Sequence, residues 1–358
     1  MVAGQGASYA LVNAAAVTMA PLAARADGDA RVSEDDLGIV RDATIVVRDG
    51  LITFVGSSGA AANEAHGLTT YDAGGCVVMP GLVDAHTHAL FVGDRVADFE
   101  ALARGEPPSL GIGFTVAQTR KLDEAALVAL GRRKLAAMLA HGTTTAEVKT
   151  GYALSADGEV RLLRALAKLD ALDDTPHVIA TFCGAHALPP EFESHDAFVD
   201  ELVARILPAI ADTKIARFAD AFCERGFFSP EQSQRFLAAC AARGLQLRIH
   251  ADELSHSGGA VVAAQLRCTS ADHLNHIAST EIPALRDAGT TAVLCPATAQ
   301  YMDLPFAPAR ALIDDGVPVA LATDFNPGTC PCFSLQEVVH LARRRMRMSV
   351  AETIAGVT

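Results

Sequence analysis

Positive charge is scarce in this chain: 29 Lys and Arg stand against 42 Asp and Glu, for a formal net charge of −13. That balance does not build the broad basic surface that nucleic acid or an anionic membrane requires, although one local arginine can still capture an anionic substrate. No segment is long and apolar enough to span a bilayer. Ala7 to Ala20 is Ala-rich, yet no basic residue precedes it and Asn13 and Thr18 interrupt it, so it reads as strand and not as a secretory signal. Paired C-x-x-C spacing is missing. The eight cysteines, at 76, 183, 223, 240, 268, 295, 330 and 332, are scattered through apolar or strand-like segments, as reduced core residues of a cytoplasmic enzyme would be. Cys330-Pro331-Cys332 has no partner pair with which to form a metal clip. Nor does any strand run into G-x-G-x-x-G or a Walker loop, which removes the usual support for a nucleotide-binding fold.

Apolar residues, by contrast, make up half of the 358-residue chain, enough for a (β/α)8 barrel with an appendage and without the composition of disorder. Residues 45–56 form a hairpin pattern, with Asp49-Gly50 between two β-branched runs supplying the positive φ angles of a type I′ turn. Residues 1–77 read as a small β unit. From Val78 onward apolar strands alternate with amphipathic helices. The strands are expected at 82–87, 143–149, 178–183, 215–223, 246–250, 268–273, 291–295 and 318–323, and helices at 122–140, 159–169, 229–243 and 307–316. Eight alternations in order favour an α/β fold of the closed TIM-like type, here over residues 78–358, over an open sheet.

Val83-Asp84-Ala85-His86-Thr87-His88 follows an apolar run broken by Pro80-Gly81, and it reads as a short buried strand carrying two histidines near its C-terminal end. Alternation puts both imidazoles on the inward face, at the end where such barrels carry their chemistry. A lone buried histidine is more often a satisfied core residue than a ligand; the pair shifts that balance. The fifth strand ends at His250, followed by Ala251-Asp252-Glu253; the sixth ends at His273; the eighth ends at Asp324. His86, His88, His250 and Asp324 thus make a mononuclear metal site with a position open for water, whose pKa a divalent cation would lower toward neutrality. Glu253 and His273 are the candidate proton carriers for cleaving a C–N bond. Against these readings stand a solvated loop acid for Glu253 and, for His273, a residue that orients Asp324 or the water.

These residues carry a family resemblance. Pro80 to His88, Glu147-Val148-Lys149-Thr150-Gly151-Tyr152, Thr181 to Glu191, His250 to Leu254, Ser270 to Leu274 and Thr323 to Thr329 resemble the amidohydrolase superfamily over nearly the whole chain. Within it the match is to the branch acting in histidine degradation. The resemblance implies a (β/α)8 barrel flanked by a small β-sandwich, and hydrolytic opening of 4-imidazolone-5-propanoate to N-formimidoyl-L-glutamate. It also implies one zinc or iron ion on His86, His88, His250 and Asp324. Glu253, His273 and Asp324 would act in catalysis, and Arg95, Tyr152, His186, Glu253, Asn326, Gly328 and Thr329 would line the substrate pocket. Arg95 suits a bidentate grip on a propionate carboxylate, which a lysine would provide less well. Its bland alternative is a surface arginine, and that of Tyr152 a rim aromatic that only packs.

Dinuclear members of the superfamily use a carbamylated lysine from the fourth strand. Here that strand has none at its C-terminal end, and Lys149 belongs to the second, so a single metal is expected. Glu106 to Gly113 matches the loop after the first strand. The family's chain continues past the last barrel helix into returning sandwich strands, whereas this sequence stops at Thr358, so an incomplete β unit with an exposed edge and lowered stability is expected. The resemblance suggests a homodimer. Two rival functions stay open: a purine or pyrimidine deaminase of the same superfamily, which also uses a pair like His250 and Glu253, and a non-catalytic barrel subunit.

Overall fold

The structure is a computed structural model describing residues 6–24, 30–61, 63–107 and 109–358. The chain divides into two compact units. One comprises the described residues up to Gly81 together with Val350–Gly356 and Thr358; the other comprises Leu82–Ser349 and Val357.

The first unit is a mixed sheet of β1 (Tyr9–Val17), β2 (Ile39–Arg48), β3 (Leu51–Ser57), β4 (Thr69–Asp72) and β5 (Val77–Val78). β1 pairs antiparallel with β2 and parallel with β4 and β5. The β2–β3 hairpin turns at Asp49 and Gly50 with φ of 52° and 80°, the conformation expected of Asp-Gly. Small side chains, Ala14, Ala16 and Ala43 with Ile45, fill its core. The helix Val350–Ala355 belongs to this unit and buries Ala351 with Val17 and Leu37.

The second unit is built on eight parallel strands in chain order: β6 (Leu82–Asp84), β7 (Thr143–Lys149), β8 (His177–Ala185), β9 (Phe218–Cys223), β10 (Gln246–Ala251), β11 (Ser270–His273), β12 (Thr291–Leu294) and β13 (Val319–Leu321). Helices alternate with them, among them Glu124–Ala140, Ala156–Asp170, Pro230–Ala241 and Ala309–Asp315, within a few residues of the expected spans. Pro230–Ala241 starts where the sequence dictates, since Ser229 and Gln232 form a reciprocal capping box with Pro230 in the first turn. Leu127, Leu162, Leu163, Leu166, Phe182 and Phe236 are fully buried around the strands, each such side chain contributing about 1.5–3 kcal/mol by its removal from water. Among the described residues no helix is long and apolar enough to cross a membrane.

Two local expectations are corrected. The first strand does not run regularly to residue 87; its ladder stops at Asp84. Beyond that point the backbone closes the barrel instead, with Asp324 N–H donating to His86 C=O at 2.9 Å, His88 N–H to Phe325 C=O at 3.0 Å, and a bridge between Thr87 and Phe325. Segment 106–113 is not wholly loop, because the helix Gly111–Thr119 starts inside it. Its first donors are satisfied by a carboxylate from elsewhere: Asp98 accepts from the N–H groups of Ser109, Leu110 and Gly111 at 2.7–3.0 Å. Pro108 lies outside the described residues.

Candidate active site

The backbone that closes the barrel also brings the predicted ligands together. His86 Nε2 and His88 Nε2 lie 3.5 and 3.7 Å from Asp324 Oδ1, and His88 Nε2 lies 3.2 Å from His250 Nε2. All four side chains are buried. The Nδ1–H of His86 donates to Asp272 at 2.6 Å and that of His250 to Asp220 at 2.9 Å, which fixes the tautomer and turns each Nε2 lone pair inward. His86 Nε2 is buried without a hydrogen-bond partner. Burial and the neighbouring Lys149 charge hold His86 and His250 well below the usual imidazole range, so both are neutral. Convergent neutral nitrogens, one of them orphaned, beside a carboxylate are a donor set that suits a divalent cation.

Beneath the histidines lies an ionic network that the motifs did not reveal. Lys149, with no exposed surface, donates to Asp220 at 2.6 Å and Glu147 at 2.9 Å. Arg248 donates to Asp272 at 2.7 Å and to Ala85 C=O at 2.7 Å. Burial opposes the Lys149 charge, but Asp220 and Glu147 outweigh it and hold the ammonium above its ordinary range. A lysine so engaged is not free to become a carbamate. The available signal was a charged residue on a buried strand, as with Asp220 in the otherwise apolar Phe218–Cys223 and Arg248 between Leu247 and Ile249.

The candidate proton carriers stand beside His86 and His250, whose rings lie 5.0 and 5.3 Å from that of His273. His273, at the end of β11, has both ring nitrogens buried and unpartnered, with Nε2 3.7 Å from Glu253 Oε2. Burial pushes His273 down to about 4, and burial together with Asp324 pushes Glu253 well up. Asp324 is pushed up to about 7 by burial, against hydrogen bonds from Thr298 and Asn326. His273 and Asp324 both have positive φ, 74° and 54°, a conformation costing about 1–2 kcal/mol for a residue with a side chain.

Around His88 stand Tyr152 and His186, with Arg95 near both, all buried. His186 stacks on His88 with ring centroids 5.0 Å apart, and the Tyr152 ring lies 5.2 Å from His186 and 5.8 Å from His88. The His186 Nδ1–H donates to Gly151 C=O at 3.0 Å, leaving Nε2 as an acceptor. Arg95 Nε donates to Asp98 at 2.8 Å. Its guanidinium lies against Gly328: a Cβ at that position would come 2.2 Å from Arg95 Cζ and 2.4 Å from Nη1. A side chain at position 328 would therefore have to displace the Arg95 guanidinium.

Asn326 and Thr329 reach the site differently from the sequence reading. Asn326 Oδ1 accepts from Gly328 N–H, Thr329 N–H and the Thr329 hydroxyl at 2.8–3.0 Å, while Nδ2 donates to Asp324 at 3.2 Å. Both side chains thus brace the turn that carries Asp324 and Gly328.

A parallel barrel with three imidazoles and a carboxylate meeting at its C-terminal rim defines a class of hydrolase, and the sequence agrees: a model of the Amidohydrolase family matches residues 77–358, and the chain belongs to that family. Its curated relatives narrow the field. Imidazolonepropionase of Bdellovibrio bacteriovorus is 41% identical over 92% of this chain and 79% of the relative, and that of Rubrobacter xylanophilus 44% identical over 90% and 79%. Guanine deaminase from C. acetobutylicum superimposes with a TM-score of 0.64, covering 98% of this chain and 85% of the deaminase at 18% identity, a likeness of fold.

Proposed function

We propose that this chain hydrolyses 4-imidazolone-5-propanoate to N-formimidoyl-L-glutamate, as a step in histidine degradation. The observation that carries the reading is Arg95: a buried guanidinium, braced through Nε by Asp98 and seated on Gly328, close enough to Tyr152 and His186 to act on both electrostatically, while those two rings lie against His88. Such a group suits a substrate with a carboxylate tail and does not suit guanine or cytosine, which have none. Imidazolonepropionases that are 41% and 44% identical support it.

His86, His88, His250 and Asp324 would hold one zinc or iron ion, which lowers the pKa of a water toward neutrality and so supplies the nucleophile. Arg95 pairs with the propionate carboxylate and fixes which face of the ring is presented. Tyr152 donates to the carboxylate or ring oxygen, and His186 accepts through Nε2. His273 and Asp324 take the proton that water loses as it adds to the ring carbonyl. Glu253, whose carboxyl burial pushes well up, steadies the ring nitrogen and gives it a proton as the C–N bond breaks. One water is added in all, yielding the open-chain product. Eight unpaired cysteines fit a reducing, cytoplasmic setting.

The test is to incubate purified protein with imidazolone propionate and follow the ring chromophore, with the product identified as formimidoylglutamate. Chromophore loss that a chelator abolishes is expected. Ammonia release from guanine or cytosine, with the imidazolone untouched, would replace this reading with a deaminase.

A further inference from the structure

Glu159 stands in the first turn of the helix Ala156–Asp170, where an acid usually faces solvent, yet it has no exposed surface. Its carboxylate accepts from three backbone N–H groups of the preceding loop: Gly151 at 2.9 Å on one oxygen, Ala153 at 2.8 Å and Leu154 at 2.7 Å on the other. A charge buried on backbone donors costs desolvation that a solvent-facing acid avoids. What it holds is a loop under strain. Gly151 has φ of 97°, where a Cβ would meet Cys183 C=O at 2.5 Å, and Leu154 has φ of 52°. Between those two residues sits Tyr152. Gly151 is engaged from both sides, its N–H by Glu159 and its C=O by the His186 Nδ1–H.

We propose that Glu159 is a positioning residue for substrate recognition, fixing Tyr152 through the loop and the His186 tautomer through the Gly151 peptide. The inference rests on the reading of Tyr152 and His186 as substrate contacts. The proton carriers have a counterpart: Glu224 accepts from Leu254 N–H at 2.8 Å, Ser255 N–H at 3.1 Å and the Ser255 hydroxyl, next to Glu253. The two clamps therefore have opposite kinetic signatures, Glu159 acting on substrate binding and Glu224 on turnover.

Glu159→Gln keeps the shape but turns an amide N–H toward backbone donors. Its KM for imidazolone propionate is expected to rise about 10- to 100-fold, the size of effect that a small misplacement brings, with kcat within about threefold of wild type and metal content unchanged. Glu224→Gln is expected to lower kcat with little change in KM. In a Tyr152→Phe background the KM effect of Glu159→Gln should shrink to the part that runs through His186, since the Tyr152 contact is then already lost. Should Glu159→Gln not accumulate as folded protein, Glu159→Asp, which keeps the charge and shortens the reach, carries the same comparison. Hydrogen exchange tests the clamp independently of any substrate: amides of 150–154 should exchange faster in the Glu159 variant and those of 254–255 should not. Wild-type turnover tests the functional reading, and the exchange pattern and KM ratio test the clamp. Unchanged exchange at 150–154, an unchanged KM, or a KM effect of full size in the Tyr152→Phe background would overturn the proposal.

Discussion

Two groups of residues around the histidine cluster are built on opposite principles. Arg95 and His186 each spend one nitrogen on a support, Asp98 or Gly151 C=O, which leaves the remainder of a fixed group for the proposed substrate. His273 has no support at either ring nitrogen and Glu253 lies 3.7 Å from it, while burial pushes the imidazole down and the carboxyl well up. Recognition calls for groups that do not move, and proton transfer for groups whose protonation is unsatisfied by the protein alone. The contrast predicts that damage to the two groups will separate into KM and kcat.

His273→Ala is expected to have the largest effect, lowering kcat by about 10²- to 10⁴-fold with metal still bound. Steady-state kinetics with elemental analysis checks it, and near-normal turnover by the metallated variant would remove His273 from the proton path. Lys149→Met lies beneath both groups and should not respect the division. It strips Asp220 and Glu147 of their cation, and breaking such a buried pair costs about 3–5 kcal/mol, to be read as a lowered denaturant midpoint and a weaker hold on metal. Gly328→Ala sharpens the comparison from the recognition side. The new methyl occupies the space of the Arg95 guanidinium, so KM should rise about 10- to 100-fold, the worth of a displaced charge-assisted pair, while kcat changes little; a lowered kcat at unchanged KM would place Arg95 in the wrong group.

The smallest expected effect lies outside the pocket. His256 Nε2 is 2.9 Å from Glu281, and that bond raises the imidazole pKa. A pKa raised on folding stabilises below the unfolded value of about 6.5, and the gain is lost as pH rises through the folded value. The His256 side chain is half exposed, so about 0.2–0.5 kcal/mol is expected. Melting temperatures of wild type and His256→Ala should differ at pH 5.5 and coincide at pH 8.5.

The gathering of the proposed ligands could be anticipated from the sequence because those residues stand at the ends of apolar strands, where H-x-H, Asp272-His273 and Thr323-Asp324 interrupt hydrophobic runs. The supports could not be read the same way. Asp272 lies 186 residues from His86 and Asp220 lies 71 from Lys149, so only closure of the barrel makes them neighbours. Asp98 looks like an ordinary helix acid until its three donors, 11 to 13 residues later, fold back onto it. The early end of the first strand was equally hidden, because the partner that takes over after Asp84 is the turn beyond the eighth strand.

Metal stoichiometry is the most direct test of the convergence of His86, His88, His250 and Asp324. Elemental analysis of dialysed protein should give about one equivalent of zinc or iron per chain, lost in Asp324→Ala together with ring-opening activity. Two tightly held equivalents, or full activity in protein stripped of metal, would contradict the account.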